Sequence, residues 1–72
     1  MITYDKLFDL LEKRDISARK LRKETGISSS DWNAYLHGGG MSTHTINRLC
    51  RFLSCQPGDI LTYIPDEEEP SA

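Results

Sequence analysis

The sequence predicts a small all-α domain of five short helices. Three observations favour this fold class. Apolar residues recur at helical spacing, serines and threonines suited to capping precede these stretches, and no two strand-like segments are joined by a hairpin turn. A chain of 72 residues has room for one domain, and a domain of this size often gains burial by pairing with a second copy.

The first two predicted helices are short and begin at residues that can cap them. The first has Thr3 as its N-cap, ends near Arg14, and places one apolar stripe inward: Tyr4, Leu7, Phe8 and Leu11. The second begins at Ser17, turns Leu21 inward and ends before Gly26. Glycine suits the left-handed residue that follows a helix, so Gly26 is predicted to terminate the second helix.

The third predicted helix has the clearest start signal in the sequence. Ser28 and Asp31 have the spacing of a capping box, and Ile27 and Trp32 that of a hydrophobic staple. Its inward stripe is predicted to be Trp32, Tyr35 and Leu36. The glycines at 38–40 end the helix and form a flexible turn, because consecutive glycines lose too much backbone entropy in a helix.

Two further helices complete the predicted domain. The fourth begins at Ser42 and continues the apolar face with Ile46, Leu49, Cys50 and Leu53. Pro57 suits the first position of a fifth, short helix, which would contain Ile60 and Leu61. Tyr63 and Ile64 are expected to run extended. The domain is therefore assigned to residues 1–65, and residues 66–72 to an acidic, disordered tail.

The distribution of charge matters more than its total. The chain has nine basic and eleven acidic residues, a formal net charge of −2. Four of the acids stand at 66–69, and without them the balance is nine basic to seven acidic residues. Residues 13–51 contain eight basic and three acidic residues, a net charge of +5. The basic middle of the chain permits binding to nucleic acid.

The connection between the second and third helices points to a function. The connection is only about three or four residues long: it runs through Thr25, Gly26 and Ile27 to the helix that Ser28 caps. A short turn of this kind containing glycine is typical of the DNA-binding helix-turn-helix. The outward positions of the third helix are short and polar, namely Ser29, Ser30, Asn33 and then His37. Such side chains can contact base edges in a major groove.

These features resemble the Cro/cI-type, or XRE, helix-turn-helix family, in particular a compact stand-alone subgroup. The resemblance covers about residues 2–65 and rests on Leu21, Gly26-Ile27-Ser28, the glycine after the third helix and the segment Cys55-Gln56-Pro57-Gly58-Asp59-Ile60-Leu61. It implies a five-helix lambda-repressor-like domain. The family's base-reading positions fall on Ser29, Ser30, Asn33 and Ala34. Its phosphate-contacting positions fall on Ser17, Ala18, Arg19, Ser28, Ser42 and Thr43.

The resulting hypothesis is a sequence-specific DNA-binding regulator, a repressor, that binds double-stranded DNA as a homodimer. The dimer contact is left open among the fourth helix, the Pro57 helix and the Tyr63-Ile64 segment. The alternative is a protein-interaction module, antitoxin-like or anti-repressor-like, that keeps the fold without binding DNA. The acidic isoelectric point, Ala34 and Asp31 favour that alternative.

Other function classes are disfavoured by the residues that the chain contains. Cys50, Cys55, His37 and His44 lack zinc-ligand spacing, and no paired carboxylates or catalytic triad stand out. We therefore expect no metal, no cofactor, no small-molecule ligand and no enzymatic activity. No apolar run has signal-peptide or membrane-span length, which predicts a cytoplasmic protein with no membrane contact and reduced cysteines.

Overall fold

The computed structural model describes residues 1–65, and the predicted acidic tail at 66–72 lies outside the described residues. The elements follow in the order β1 (Ile2–Thr3), α1 (Asp5–Lys13), α2 (Ala18–Thr25), α3 (Ser29–Leu36), α4 (Thr43–Leu53), a single 3₁₀ turn (Pro57–Asp59) and β2 (Thr62–Tyr63). In this part of the chain no helix is long and apolar enough to cross a membrane.

The start of α1 differs from the prediction. The N-cap residue is Tyr4, whose side chain makes no capping hydrogen bond, and the predicted cap Thr3 belongs to β1. Thr3 is part of a strand because β1 pairs with β2, in which Thr62 lies opposite Thr3. The apolar stripe was predicted correctly, since Leu7 and Leu11 are buried and Phe8 packs against the core.

The caps of the next three helices were predicted correctly. The hydroxyl oxygen of Ser17 accepts the backbone N–H of Lys20 at 3.1 Å, and that of Ser28 accepts the N–H of Asp31 at 3.0 Å. Ser42 likewise caps α4. Each cap satisfies one of the N–H groups that a helix start leaves without a partner, at a gain of about 1 kcal/mol.

The predicted fifth helix is a single 3₁₀ turn. The backbone N–H of Gln56 donates to the Asp59 carboxylate at 2.9 Å, which closes the turn on itself. Ile60, the next residue, is fully buried. The chain must then reverse to reach β1, so the segment after Asp59 cannot continue as a helix. Four α-helices, rather than five, are present in the described residues.

The two ends of the domain pair as a two-stranded antiparallel sheet, which the all-α prediction missed. Ile2 lies opposite Tyr63, and Thr3 opposite Thr62. The backbone N–H of Ile64 also donates to the Met1 carbonyl at 2.8 Å. The extended segment expected at Tyr63 and Ile64 is thus strand β2 and the residue after it, and its partner is the N-terminus.

The helices enclose one hydrophobic core. Its buried apolar members are Tyr4, Leu7, Leu11, Leu21, Ile27, Trp32, Tyr35, Leu49, Leu53 and Ile60. Complete burial of one leucine contributes about 1.5–3 kcal/mol. Leu36, predicted to face inward, is 51% exposed because it ends α3 beside Met1 and Ile2 rather than over the core.

Candidate nucleic-acid interface

The corner between α2 and α3 is held from both sides. Gly26 follows α2 with a φ of +75°, in the left-handed region that glycine adopts without strain. Ile27, the next residue, is buried in the core. From α4, the Arg48 guanidinium donates to the Thr25 carbonyl at 3.2 Å and closes the C-terminal end of α2. These contacts fix the direction in which α3 leaves the corner.

Helix α3 has one buried face and one exposed face. Trp32 and Tyr35 are 8% and 6% exposed, and each makes an edge-to-face contact with an α1-side aromatic ring. The Trp32 ring lies 5.8 Å from Phe8, and the Tyr35 ring lies 5.9 Å from Tyr4. The predicted base-reading residues on the rest of the helix are all exposed: Ser29, Ser30, Asn33 and Ala34. The core therefore anchors α3 while its polar edge faces solvent.

The end of α3 is ordered by specific contacts. His37, also predicted to read bases, caps the helix, and its Nδ1 lies 2.8 Å from the Asn33 carbonyl oxygen. Gly38 has a φ of +83°, and the Gly39 N–H donates to the Ala34 carbonyl at 2.7 Å. A Cβ at Gly39 would lie 2.9 Å from that carbonyl oxygen. The glycine run, expected as a flexible turn, closes the helix through backbone contact.

Three helix N-termini carry the predicted phosphate-contacting residues. Ser17, Ser28 and Ser42 are the N-caps of α2, α3 and α4, and all are exposed. Since their oxygens accept backbone N–H groups, the hydroxyl hydrogens of Ser17 and Ser28 can still donate outward, whereas that of Ser42 donates to Thr45 at 3.1 Å. The remaining predicted positions are the exposed first residues of α2 and α4: Ala18, Arg19 and Thr43.

Six of the nine basic residues fall into two groups in the structure. Three donate to backbone carbonyls: Lys6 to Gly58, Arg14 to Leu53 and Arg48 to Thr25. Arg19, Lys20 and Lys23 are exposed and line a surface groove of about 410 Å³ together with Ser17 and one acidic residue, Glu24. Within residues 1–65 none of these three forms an ion pair. Their charges are therefore available to an external anion.

Sequence reasoning missed the contacts that brace this interface from behind. The buried Tyr4 hydroxyl donates to the Gly39 carbonyl at 2.5 Å and ties the end of α3 to the start of α1. Burial, and secondarily the nearby Tyr35, raise the pKa of Tyr4. A polar hydroxyl on an otherwise apolar stripe was the available signal, because a buried tyrosine normally needs a hydrogen-bond partner.

The groups that this interface presents are suited to binding nucleic acid. No group of three or more His, Cys, Asp or Glu side chains that could hold a metal ion occurs among residues 1–65. An exposed helix with polar side chains, three open helix N-termini and unpaired cations are the means by which proteins bind a phosphate backbone and base edges. Fold and interface together define a helix-turn-helix module of the DNA-binding class.

The comparisons agree with that class. Residues 6–66 match the model of the Cro/C1-type HTH DNA-binding domain, and the chain belongs to this family. It is similar to the uncharacterized HTH-type transcriptional regulator YozG of Bacillus subtilis (strain 168), with 34% identity over 61 residues that cover 82% of this chain and 73% of the relative. It also resembles the crystal structure of the transcriptional regulator VanUg, form II, with a TM-score of 0.84 and 31% identity over 90% of this chain and 87% of that chain.

The family establishes the general function. The chain is a DNA-binding regulator domain and not an enzyme, as the sequence predicted.

Proposed function

We propose that this protein is a sequence-specific transcriptional repressor that binds double-stranded DNA as a homodimer and places α3 in the major groove. The observation that carries the proposal is the two-faced structure of α3. Trp32 and Tyr35 fix the helix to the core, and the exposed face is polar. The major groove of B-DNA, about 12 Å wide, admits a helix presented in this way.

The exposed residues of α3 can read several bases. The Asn33 amide can form a bidentate pair with adenine, and the hydroxyls of Ser29 and Ser30 can donate or accept. The Ala34 methyl suits contact with the methyl group of thymine. His37 lies one turn beyond Asn33, with one ring nitrogen engaged by the helix backbone, so it would read the outer edge of the site.

The helix N-termini would set the register of the protein on DNA. Ser17 and Ser28 can donate their hydroxyl hydrogens to phosphate oxygens. The first N–H groups of α2 and α4 point outward from the helix N-terminus, where the positive end of the helix dipole also attracts a phosphate. Ala18 lacks a polar side chain but has a backbone N–H at the first position of α2, which can serve a phosphate. Arg19 adds a full charge at the same end, and Ser42 with Thr43 would act similarly at α4.

The homodimer is proposed to form through a surface that we call the sheet patch. It contains the exposed large apolar side chains of residues 1–65, namely Met1, Ile2, Leu36, Tyr63 and Ile64. Ile2 lies opposite Tyr63 across the sheet, and Leu36 lines a surface cavity with Met1 and Ile2. Apolar surface concentrated in one place is typical of an interface, and a two-fold axis through it would pair the patch with its own copy.

The dimer would bind a near-palindromic site with half-sites about 34–36 Å apart. Each subunit presents few basic residues to the DNA. Binding of two linked subunits to two half-sites compensates for this, because their contacts add to the binding free energy. Repression follows from occupancy, since a bound dimer that covers a promoter needs no further activity to block it.

The decisive experiment is a binding titration on a duplex selected from genomic fragments. Fluorescence anisotropy should show that Asn33→Ala weakens binding to the selected duplex by about 5- to 150-fold, the loss expected for one bidentate base contact. Asn47→Ala removes the same amide from an exposed position on α4 and should leave the affinity unchanged. Equal affinities for all three proteins would contradict base reading by α3.

Salt dependence separates phosphate contacts from base contacts. Arg19→Ala should weaken binding to every duplex and lower the salt slope by about one, whereas Lys13→Ala, an equal change of charge on α1, should not. Failure to retain any DNA at low salt, together with recovery of one stoichiometric protein partner, would support the protein-interaction module instead.

The oligomeric state can be tested without DNA. Sedimentation equilibrium should show a dimer for the wild type and a shift toward monomer for Leu36→Ser and Tyr63→Ser. Both side chains are exposed, so the melting temperature of the monomer should change little. A monomeric wild type, or a dimer that neither substitution weakens, would exclude the sheet patch as the interface.

A further inference from the structure

The end of α4 brings two cysteines together. Ser54 follows the helix in the left-handed conformation, with φ of 52° and ψ of 53°, and the Cys55 N–H donates to the Cys50 carbonyl at 3.1 Å. A hydrogen bond that spans six residues past a left-handed residue is the mark of a Schellman cap. In this cap the side chains of the first and sixth residues normally make an apolar contact. Here both of those residues are cysteines.

The two cysteines are held together through their backbones, and the side chains of both are partly accessible. Neither forms a disulfide in this structure, and both are half-buried. Both line a surface cavity of about 500 Å³, with apolar walls from Ile46 and Pro57. A small sulfur reagent can therefore reach the pair without unfolding the helix.

The surroundings set the reactivity of the pair. Burial, followed by the neighbouring Cys50 thiol, raises the pKa of the Cys55 thiol. Because its pKa is raised, Cys55 is protonated at neutral pH. The thiolate is the reacting form, so Cys55 reacts faster as the pH rises. The raised pKa slows oxidation at neutral pH but does not change the backbone contact that joins the two cysteines.

We propose that Cys50 and Cys55 are a modification site, a dithiol that low-molecular-weight disulfides convert into an intrachain disulfide across the end of α4. One cysteine thiolate attacks a sulfur of the small disulfide, forms a mixed disulfide and releases a first small thiolate. The second cysteine thiolate then attacks the protein sulfur of the mixed disulfide and releases the second small thiolate. The two protons lost by the protein are taken up by these leaving thiolates, so one disulfide is exchanged for another and two small thiols are formed.

The backbone geometry favours the second step. A protein disulfide needs Cα atoms about 4.4–6.8 Å apart, and the hydrogen bond between the Cys50 carbonyl and the Cys55 N–H holds the two backbones close together. The unfolded chain has no such constraint. Folding should therefore raise the equilibrium constant for closure of the disulfide.

The test is a redox titration of the full chain with mixtures of oxidised and reduced glutathione, followed by rapid alkylation and intact-mass measurement. In the folded wild type, the mass of the single chain should fall by two hydrogen atoms, with no covalent link to a second chain. The equilibrium constant for closure should be at least about tenfold larger than for the same chain in urea. Cys50→Ser and Cys55→Ser should each stop at a single glutathione adduct. The rate should rise between about pH 7 and pH 9.

Two results would overturn the proposal. One is accumulation of doubly glutathionylated or disulfide-linked dimeric protein from the folded wild type in place of the closed form. The other is an equilibrium constant for closure no larger in the folded chain than in urea, which would mean that the helix cap does not hold the thiols in a reactive geometry. Circular dichroism of both serine variants checks that each remains folded.

Discussion

The glycine that turns the chain between α2 and α3 allows a stability prediction whose sign depends on the backbone. At a position with ordinary backbone angles, Gly→Ala stabilises a protein by about 0.4–1 kcal/mol, because alanine has fewer unfolded conformations. At Gly26 the φ of +75° reverses this effect, since left-handed backbone costs an L-residue about 1–2 kcal/mol. We expect Gly26→Ala to lower the free energy of unfolding.

The magnitude can be worked out from the surroundings of Gly26. A Cβ there would lie 3.4 Å from Arg48 Nη1, the mobile tip of a long side chain, so steric repulsion adds little to the backbone strain. The net loss should be about 1 kcal/mol, or about 4–8 °C in melting temperature for a domain of this size. Gly58→Ala is the matched control, because its Cβ would meet nothing within 4 Å and the residue has no positive φ. That variant should be slightly stabilised.

Gly39 tests a different cause of destabilisation with the same substitution. Its φ is not positive, but a Cβ would lie 2.9 Å from the Ala34 carbonyl oxygen, a backbone atom that cannot move away freely. Gly39→Ala should therefore cost about 1–3 kcal/mol, as overpacking does in a core.

Urea unfolding can measure all three variants through the fluorescence of Trp32, the one tryptophan of the chain and a buried core residue. Thermal unfolding followed by circular dichroism provides a second measurement. The reasoning is refuted if Gly26→Ala is as stable as the wild type or more stable, or if Gly58→Ala and Gly26→Ala shift stability in the same direction.

Three further predictions concern hydrogen bonds. Folding raises the pKa of Tyr4. The stability that the protonated Tyr4 hydroxyl provides is therefore complete below its ordinary pKa of about 10 and is lost as the pH rises through the raised value. Tyr4→Phe should lower the free energy of unfolding by about 1 kcal/mol at pH 7, and that free energy should decline less steeply at alkaline pH than in the wild type. Ser28→Ala should cost about 1 kcal/mol in urea unfolding through loss of its cap, and Ser30→Ala less than about 0.5 kcal/mol. Arg48→Met should cost about 1 kcal/mol through its lost bond to the end of α2, while Arg51→Met, an exposed change on the same helix, should leave the melting temperature nearly unchanged.

The candidate interface could be predicted from the sequence to the extent that helix geometry places it. The spacing of Trp32 and Tyr35 orients α3, and once they are buried the residues on the opposite side of the helix must face outward. This is why the exposure of Ser29, Ser30 and Asn33 agrees with the prediction. The hydrogen bonds from Arg14 and Arg48 to carbonyls at helix C-termini did not follow from the sequence, because each joins residues that are far apart along the chain.

Local sequence by itself determined the starts of three helices and the turn between two of them. Ser17, Ser28 and Ser42 cap their helices through an N–H three residues away, and Gly26 turns the chain through its own φ. Each of these interactions is complete within four residues. The surrounding fold therefore had little opportunity to change them.

Tertiary structure alone decided the features that depend on distant residues. Thr3 became a strand residue and the fifth helix became a single turn because Thr62 and Tyr63 had to reach the N-terminus. The hydrogen bond from Tyr4 to the carbonyl of Gly39 spans 35 residues. Strands of two residues have little stability alone and acquire a partner only when the helices have packed, so neither the sheet nor the apolar surface around it can be read from a short stretch of sequence.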